Sequence, residues 1–236
     1  MSEVIRRKED RGTTELGWLQ SFHLFSFGSY VDESNVHFGA LRVVNDDTVK
    51  EGMGFDNHTH ENMEIISIVL SGALEHKDSI GGQATLFPGD VQTTTAGVGM
   101  THAELNASKE EPVHFLQIWI LPKEQQLPSA YAQKHVDFLT VPNTLHIVAS
   151  GHVDNGALPI QQDARVMMAT LTPKGSVSYT LTDETHGILV YVVSGQVQVM
   201  DTLLDAGDEM RITEVAALTC VALHDAQVLV IDVPLA

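Results

Sequence analysis

Two short sequences carry side chains able to bind a transition metal. They are His58-Thr59-His60 and, starting 44 residues after His58, His102-Ala103-Glu104. Both lie in β-like, glycine-punctuated sequence. On a strand, side chains at i and i+2 leave the same face. His58 and His60 therefore aim together, as do His102 and Glu104. If the two strands are neighbours in one barrel, three imidazoles and a carboxylate converge. That donor set suits a divalent transition metal with coordination positions left open for a substrate.

The elements that must position these groups are short apolar runs rich in Val, Ile, Thr and Phe. They cover residues 64–70, 113–121, 166–171, 188–193 and 227–233, each bounded by Gly, Pro, Asp or Asn. This is the pattern of an all-β sandwich or barrel. Asp78-Ser79-Ile80-Gly81-Gly82 predicts a hairpin turn, its glycines free to take positive φ. Residues 124–138 are the one stretch that could hold a helix, and Pro128 argues against it.

An internal echo points to two related halves. Val69-Leu70-Ser71-Gly72 precedes Phe87-Pro88-Gly89-Asp90, and Val192-Val193-Ser194-Gly195 precedes Asp205-Ala206-Gly207-Asp208. Glycine and final aspartate are 18 residues apart in the first copy and 13 in the second, as a shorter hairpin would give. The expected division is an N-terminal metal-binding domain over 1–122, a connector over 123–142 and a C-terminal domain over 143–236. Carrying the offsets of His58, His60, His102 and Glu104 into the second copy lands on Leu181, Asp183, Cys220 and Ala222. Leu and Ala cannot coordinate a metal, so the second domain is expected to lack the site. A small register error would leave Asp183, His186, Cys220 and His224 as the alternative cluster.

The chain has 13 basic and 31 acidic residues, a net charge of −18. Such a surface repels phosphate backbones and anionic membranes, which argues against direct nucleic-acid or membrane binding. Hydrophobic residues make up 43%, enough for ordinary cores. Cys220 is the only cysteine and is expected to be an inert buried thiol, so no intrachain disulfide forms and a reducing, cytoplasmic setting fits. No run reaches the roughly 18 apolar residues of a membrane span.

Gly52 through His58-Thr59-His60 to Glu64 resembles the first metal-binding motif of the cupins. Gly89-Asp90 through Gly99-Met100-Thr101-His102 to Asn106 resembles the second. Thr95 stands where cupins usually have proline, the second motif is longer around Gly97 to Gly99, and Glu104 follows His102 by two positions. Those departures resemble the pirin branch. So do Gly17-Trp18-Leu19, His23-Leu24-Phe25-Ser26-Phe27, Leu41-Arg42-Val43, Glu75-His76-Lys77-Asp78-Ser79, Thr95 to Gly99 and Gln117-Ile118-Trp119-Ile120. The likeness is dense from about residue 4 to residue 125 and most similar to the bacterial pirin-type quercetin 2,3-dioxygenases.

The resemblance implies a bicupin, two tandem cupin-type β-barrels or jelly rolls in one chain. It places the metal ligands on His58, His60, His102 and Glu104, with Glu104 also the catalytic base. It implies Fe(II) as the metal, with Mn, Co, Ni, Cu or Zn as alternatives. The implied reaction opens a flavonol such as quercetin with dioxygen and releases carbon monoxide, so the expected partners are a small phenolic substrate and dioxygen. Two other readings stay open: a non-enzymatic metal or redox sensor that binds a partner protein, and a cupin enzyme on another small molecule. Glu64 is expected to orient a metal-ligating histidine. His23, His37, His76, His114, His135, His146 and His152 are expected to be surface or hydrogen-bonded histidines. Phe55, Met53, Met63 and Met100 are candidates to line a pocket or fill the core.

Overall fold

Strand Met100–Asn106 shows in miniature how the sequence builds the molecule. Met100, His102, Glu104 and Asn106 are buried, and the residues between them are not. That period-2 pattern belongs to a strand with one face inside a barrel and one outside. By contrast Glu64–Ile120 contains two central strands, Glu64–Ser71 and Val113–Ile120, whose near-continuous burial marks strands covered on both faces. The computed structural model describes residues 2–152, 156–181 and 183–235.

Each half is a two-sheet β-barrel. In the first, a seven-stranded sheet runs in the order Ala130–His135, Asp90–Thr95, Glu64–Ser71, Val113–Ile120, Leu41–Val49, Leu19–His23 and Gly12–Glu15. Facing it is a four-stranded sheet ordered Gly54–His60, Met100–Asn106, Leu74–Asp78 and Gln83–Leu86. The second half repeats the plan. Its large sheet is Ser2–Arg6, Glu209–Thr213, His186–Ser194, Ala226–Pro234, Arg165–Leu171, His146–Ser150 and Leu158–Pro159. Its small sheet is Ser176–Thr180, Ala217–Ala222, Gln196–Val199 and Thr202–Asp205. The echoed glycines sit at one structural position. Gly72 and Gly195 have φ of 77° and 80°, and a Cβ on either would strike a backbone carbonyl, that of Pro112 or Asp225.

One terminal strand crosses between the halves, and the connector closes an edge of the first. Ser2–Arg6 pairs antiparallel with Glu209–Thr213 of the second barrel, and Ala130–His135, from the expected connector, pairs with Asp90–Thr95 of the first. The region read as a possible helix is therefore a strand followed by a 3-10 turn at Asp137–Leu139. The open sheet edge at Asp90–Thr95 outweighs any local helical preference.

Three apolar clusters hold this together. One lies between the two large sheets, with Val44, Ile66, Leu116 and Ile118 from one side and Met168, Leu189, Tyr191 and Ile231 from the other. A second fills the interior of the C-terminal barrel. The third, inside the N-terminal barrel, is confined to Leu19, Val49, Val69, Leu74, Leu86, Val113 and Phe115. The rest of that interior is polar.

Candidate metal centre

Burying polar groups is costly unless they are paired, so a polar interior in one barrel and not in its twin calls for a cause. Strand register aligns the two barrels position by position. His102 faces His58 across its strand pair, as Cys220 faces Val177. Glu104 faces His76, as Ala222 faces Val197. Ser67 lies between Gln92 and Gln117, as Val190 lies between Met210 and Val230. Every polar group in this set has an apolar counterpart in the core of the second barrel.

The same register corrects the offsets taken from sequence. The counterparts of His58 and His60 are Val177 and Tyr179, four residues before Leu181 and Asp183. Counting back from Gly195 misplaced them because the loop between the strands differs in length. Of the alternative cluster, His186 instead donates to Asp232 at 2.7 Å, Asp183 accepts from Thr185, Cys220 is in the core and His224 is exposed.

Gly54–His60 and Met100–Asn106 run antiparallel, and their register slips once, between His102 and Glu104. Three steps on the first strand, His58 to Phe55, oppose two on the second. This bulge lets Phe55 join His58 and His60 along the cavity. The Nε2 atoms of His58 and His102 face each other at 3.1 Å. Ring centroids of His58, His60 and His102 are 4.5 to 5.0 Å apart. The Asp56 carbonyl, which can only accept, takes a 2.8 Å bond from His58 Nδ1, leaving the Nε2 lone pair free. Burial, reinforced by the neighbouring histidines, pushes His60 down to about 4 and His102 down to about 3. Both are neutral imidazoles at pH 7, the form that binds metal.

Glu104 is 1% exposed and fixed from three sides. Its Oε1 accepts from Gln92 Nε2 at 2.7 Å and Ser67 Oγ at 3.0 Å, and its Oε2 accepts from Gln117 Nε2 at 2.6 Å. Two overlapping donor groups result, His58–His60–His102 and His76–His102–Glu104, with donor atoms in each within 4.8 Å of one another. Two nitrogens bound side by side on one ion at about 2.1 Å stand roughly 3 Å apart. The His58–His102 spacing therefore fits a shared cation.

Of the four residues expected to converge, His58, His60 and His102 form one donor group, and Glu104 falls in the second with His102 and His76. Sequence reasoning did not place His76 there. This histidine is hydrogen-bonded, through Nε2 to Asp78 at 3.1 Å, but it is also fully buried, has no partner for Nδ1 among the described residues and stacks on Tyr131 with centroids 4.4 Å apart. The i, i+2 rule that paired His58 with His60 also pairs His76 with Asp78, Asn45 with Asp47 and Gln117 with Trp119. Glu64 departs from its expected role. Its Oε2 accepts from Thr95 Oγ1 at 2.8 Å and from the backbone N–H of Gln161 at 3.0 Å, so it ties the first barrel to the second instead of orienting a histidine.

The histidines open onto a cavity of about 410 Å³, within the range of small-molecule sites. Leu16, Leu19, Phe27, Phe55 and Trp119 form apolar walls. Trp119 packs edge-on against His60, centroids 4.8 Å apart. Asn45, Asp47 and Gln117 line it from the large sheet. Met53 is exposed and Met100 buried, so of the sequence candidates Phe55 is the wall residue. Burial, together with the charges of Asp46 and Glu104, pushes Asp47 up to about 7.

Residues 4–120 match the Pirin family, and residues 147–233 match the Quercetinase C-terminal cupin domain. The quercetin 2,3-dioxygenase of Escherichia coli K12 is 34% identical over 230 residues, covering 98% of each chain. The chain belongs to the pirin family. A pirin-like protein of Caulobacter vibrioides is 39% identical, covering 97% of this pirin and 99% of that chain. The crystal structure of the bacterial pirin YhhW from Escherichia coli in complex with nickel(II) superposes with a TM-score of 0.93, at 33% identity over all of both chains. This pirin is a bicupin, as its motifs implied. Its histidine and carboxylate cluster is suited to a single divalent metal. No helix among the described residues is long and apolar enough to cross a membrane.

Proposed function

We propose that this pirin is a metal-dependent dioxygenase that opens flavonols such as quercetin with dioxygen and releases carbon monoxide. The observation that carries the reading is a pair of donor groups sharing His102, with His58, His60 and Glu104 lining a cavity walled by Phe55 and Trp119. The three imidazoles and Glu104 would hold the ion, and Fe(II) is the proposed occupant. Bound there, it would supply Lewis-acid polarisation of the substrate oxygens and redox contact with dioxygen.

The chain's own residues supply the rest. Phe55 and Trp119 offer aromatic surfaces that orient a planar ring system. Glu104, held by Gln92, Ser67 and Gln117, takes the proton of the flavonol 3-hydroxyl. Its three fixed donors keep the carboxylate from swinging away as it does so. The apolar walls exclude bulk water from the electron-rich flavonolate.

Oxygen uptake and carbon monoxide release with quercetin test the reading. Iron-loaded wild type should give both, and His58→Ala neither. Equal rates in the two proteins would overturn it. Retained metal with no turnover of any phenolic, and capture of a protein partner that depends on metal oxidation state, would favour a sensor.

A further inference from the structure

Within the cavity, Asp47 is the group whose chemistry the metal centre does not use. It lies on Leu41–Val49 in the large sheet, facing the small sheet that carries the histidines, and it is 2% exposed. The Ser21 hydroxyl beside it meets His23 Nδ1 at 3.3 Å, and Asp47 Oδ1 has no hydrogen-bond partner among the described residues. Several neighbouring polar atoms are committed elsewhere. Asn45 Oδ1 meets His23 Nδ1 at 2.8 Å, His23 Nε2 meets Thr14 at 2.8 Å, and Gln117 spans Trp119 and Glu104.

The duplicated fold shows that this carboxyl is not required to build a barrel. Asp47 pairs with Phe115, which pairs with Val69; in the second barrel Ala169 pairs with Val228, which pairs with Val192. Val69 and Val192 each stand three residues before the echoed glycine, so Ala169 occupies the place of Asp47. A methyl group suffices there. A buried acceptor without a donor calls for an explanation, and one that lines a cavity can be met by a donor on a ligand.

We propose that Asp47 is a substrate-recognition residue: its free Oδ1 accepts a hydrogen bond from a hydroxyl of a polyhydroxylated aromatic substrate, at a point remote from the 3-hydroxy-4-keto edge presented to the metal centre. The inference rests on the flavonol reading above and deepens it, because it makes the site selective for substrates with an added hydroxyl. A site built to bond a hydroxyl discriminates strongly against the analogue that lacks it.

The test compares quercetin with 3-hydroxyflavone, which keeps the 3-hydroxy-4-keto edge and lacks the other hydroxyls. Binding of each is titrated without oxygen to metal-loaded wild type, Asp47→Asn and Asp47→Ala, with metal content and melting temperature recorded alongside. Asp47→Ala should keep its metal and bind quercetin about 10- to 100-fold more weakly, with 3-hydroxyflavone unchanged. Asp47→Asn, which keeps an acceptor oxygen, should fall between. An equal loss for both ligands, no loss for either, or a wild type that binds neither would overturn the inference. Selective loss without turnover in any variant would uphold it while removing the dioxygenase reading.

Discussion

The Tyr191 hydroxyl, in the second barrel, donates a 2.6 Å hydrogen bond to Asp46 Oδ2 in the first. Arg11 Nη1 donates to that hydroxyl at 2.9 Å, and His114 Nε2 bonds the other oxygen of Asp46 at 2.6 Å. Alternation on the strand turns Asp46 toward the second barrel and Asp47 toward the cavity. Adjacent carboxyls thus serve the interface and the site.

Tyr191→Phe should therefore destabilise the protein without emptying the metal centre. Asp46 keeps His114 but loses a buried donor, at a cost of about 1–3 kcal/mol. Urea unfolding should register that loss, while metal content stays at the wild-type level.

Removing a support of Glu104 should act on the metal. Gln117→Leu deletes the donor to Oε2 and inserts an apolar side chain of the kind found at Val230. Changes to groups that orient ligands typically cost about 10- to 100-fold in metal affinity. Competition with a chromophoric chelator should show such a drop, beside a stability loss of about 1–3 kcal/mol because the buried Glu104 Oε2 loses its donor.

Glu64 should make stability depend on pH. Burial pushes its carboxyl from the ordinary 4.5 up to about 7. The folded state therefore holds the proton more tightly than the unfolded chain. This stabilisation is complete below pH 4.5 and is lost as pH rises through 7. The gap corresponds to roughly 3 kcal/mol. Glu64→Gln keeps an acceptor for Thr95 and Gln161 and does not titrate. Its stability relative to wild type should rise across that window, and a difference constant with pH would contradict the assignment.

Cys220 should be unreactive in the native protein. It is fully buried, and burial pushes the thiol up to about 12. At pH 8 the thiolate fraction is on the order of 10⁻⁴. Iodoacetamide should label it only after denaturation, seen as a single mass increment.

The metal cluster was legible because a strand's period of two is rigid. His58 and His60, or His102 and Glu104, share a face wherever their own strand does not bulge between them, and the extra residue in this pair falls between Phe55 and His58, outside both. Quantities that depend on loop length were not legible. The four-residue error that pointed to Leu181 in place of Val177 came from counting across a connection whose length the halves do not share. His76 was grouped with the surface or hydrogen-bonded histidines, and Asp47 escaped notice, because a single buried polar residue on a strand resembles a surface one until its neighbours are known. Glu64 sits at cupin spacing, but Thr95 and Gln161 claim it first. Residues 130–135 could not be read as a strand without the edge they cover.

The strands Ser2–Arg6 and Ala130–His135 bear on any attempt to divide the chain. A fragment ending at residue 122 would keep all four proposed ligands yet leave Asp90–Thr95 as a bare edge, inviting adhesion between copies. It would also lose Tyr131, stripping the ring from His76 behind the ligands. The complementary fragment would forfeit Ser2–Arg6 and bare Glu209–Thr213 in turn. The second barrel is completed by a strand encoded ahead of the first, and the first by a strand from the connector, so the duplicated halves are inseparable in practice.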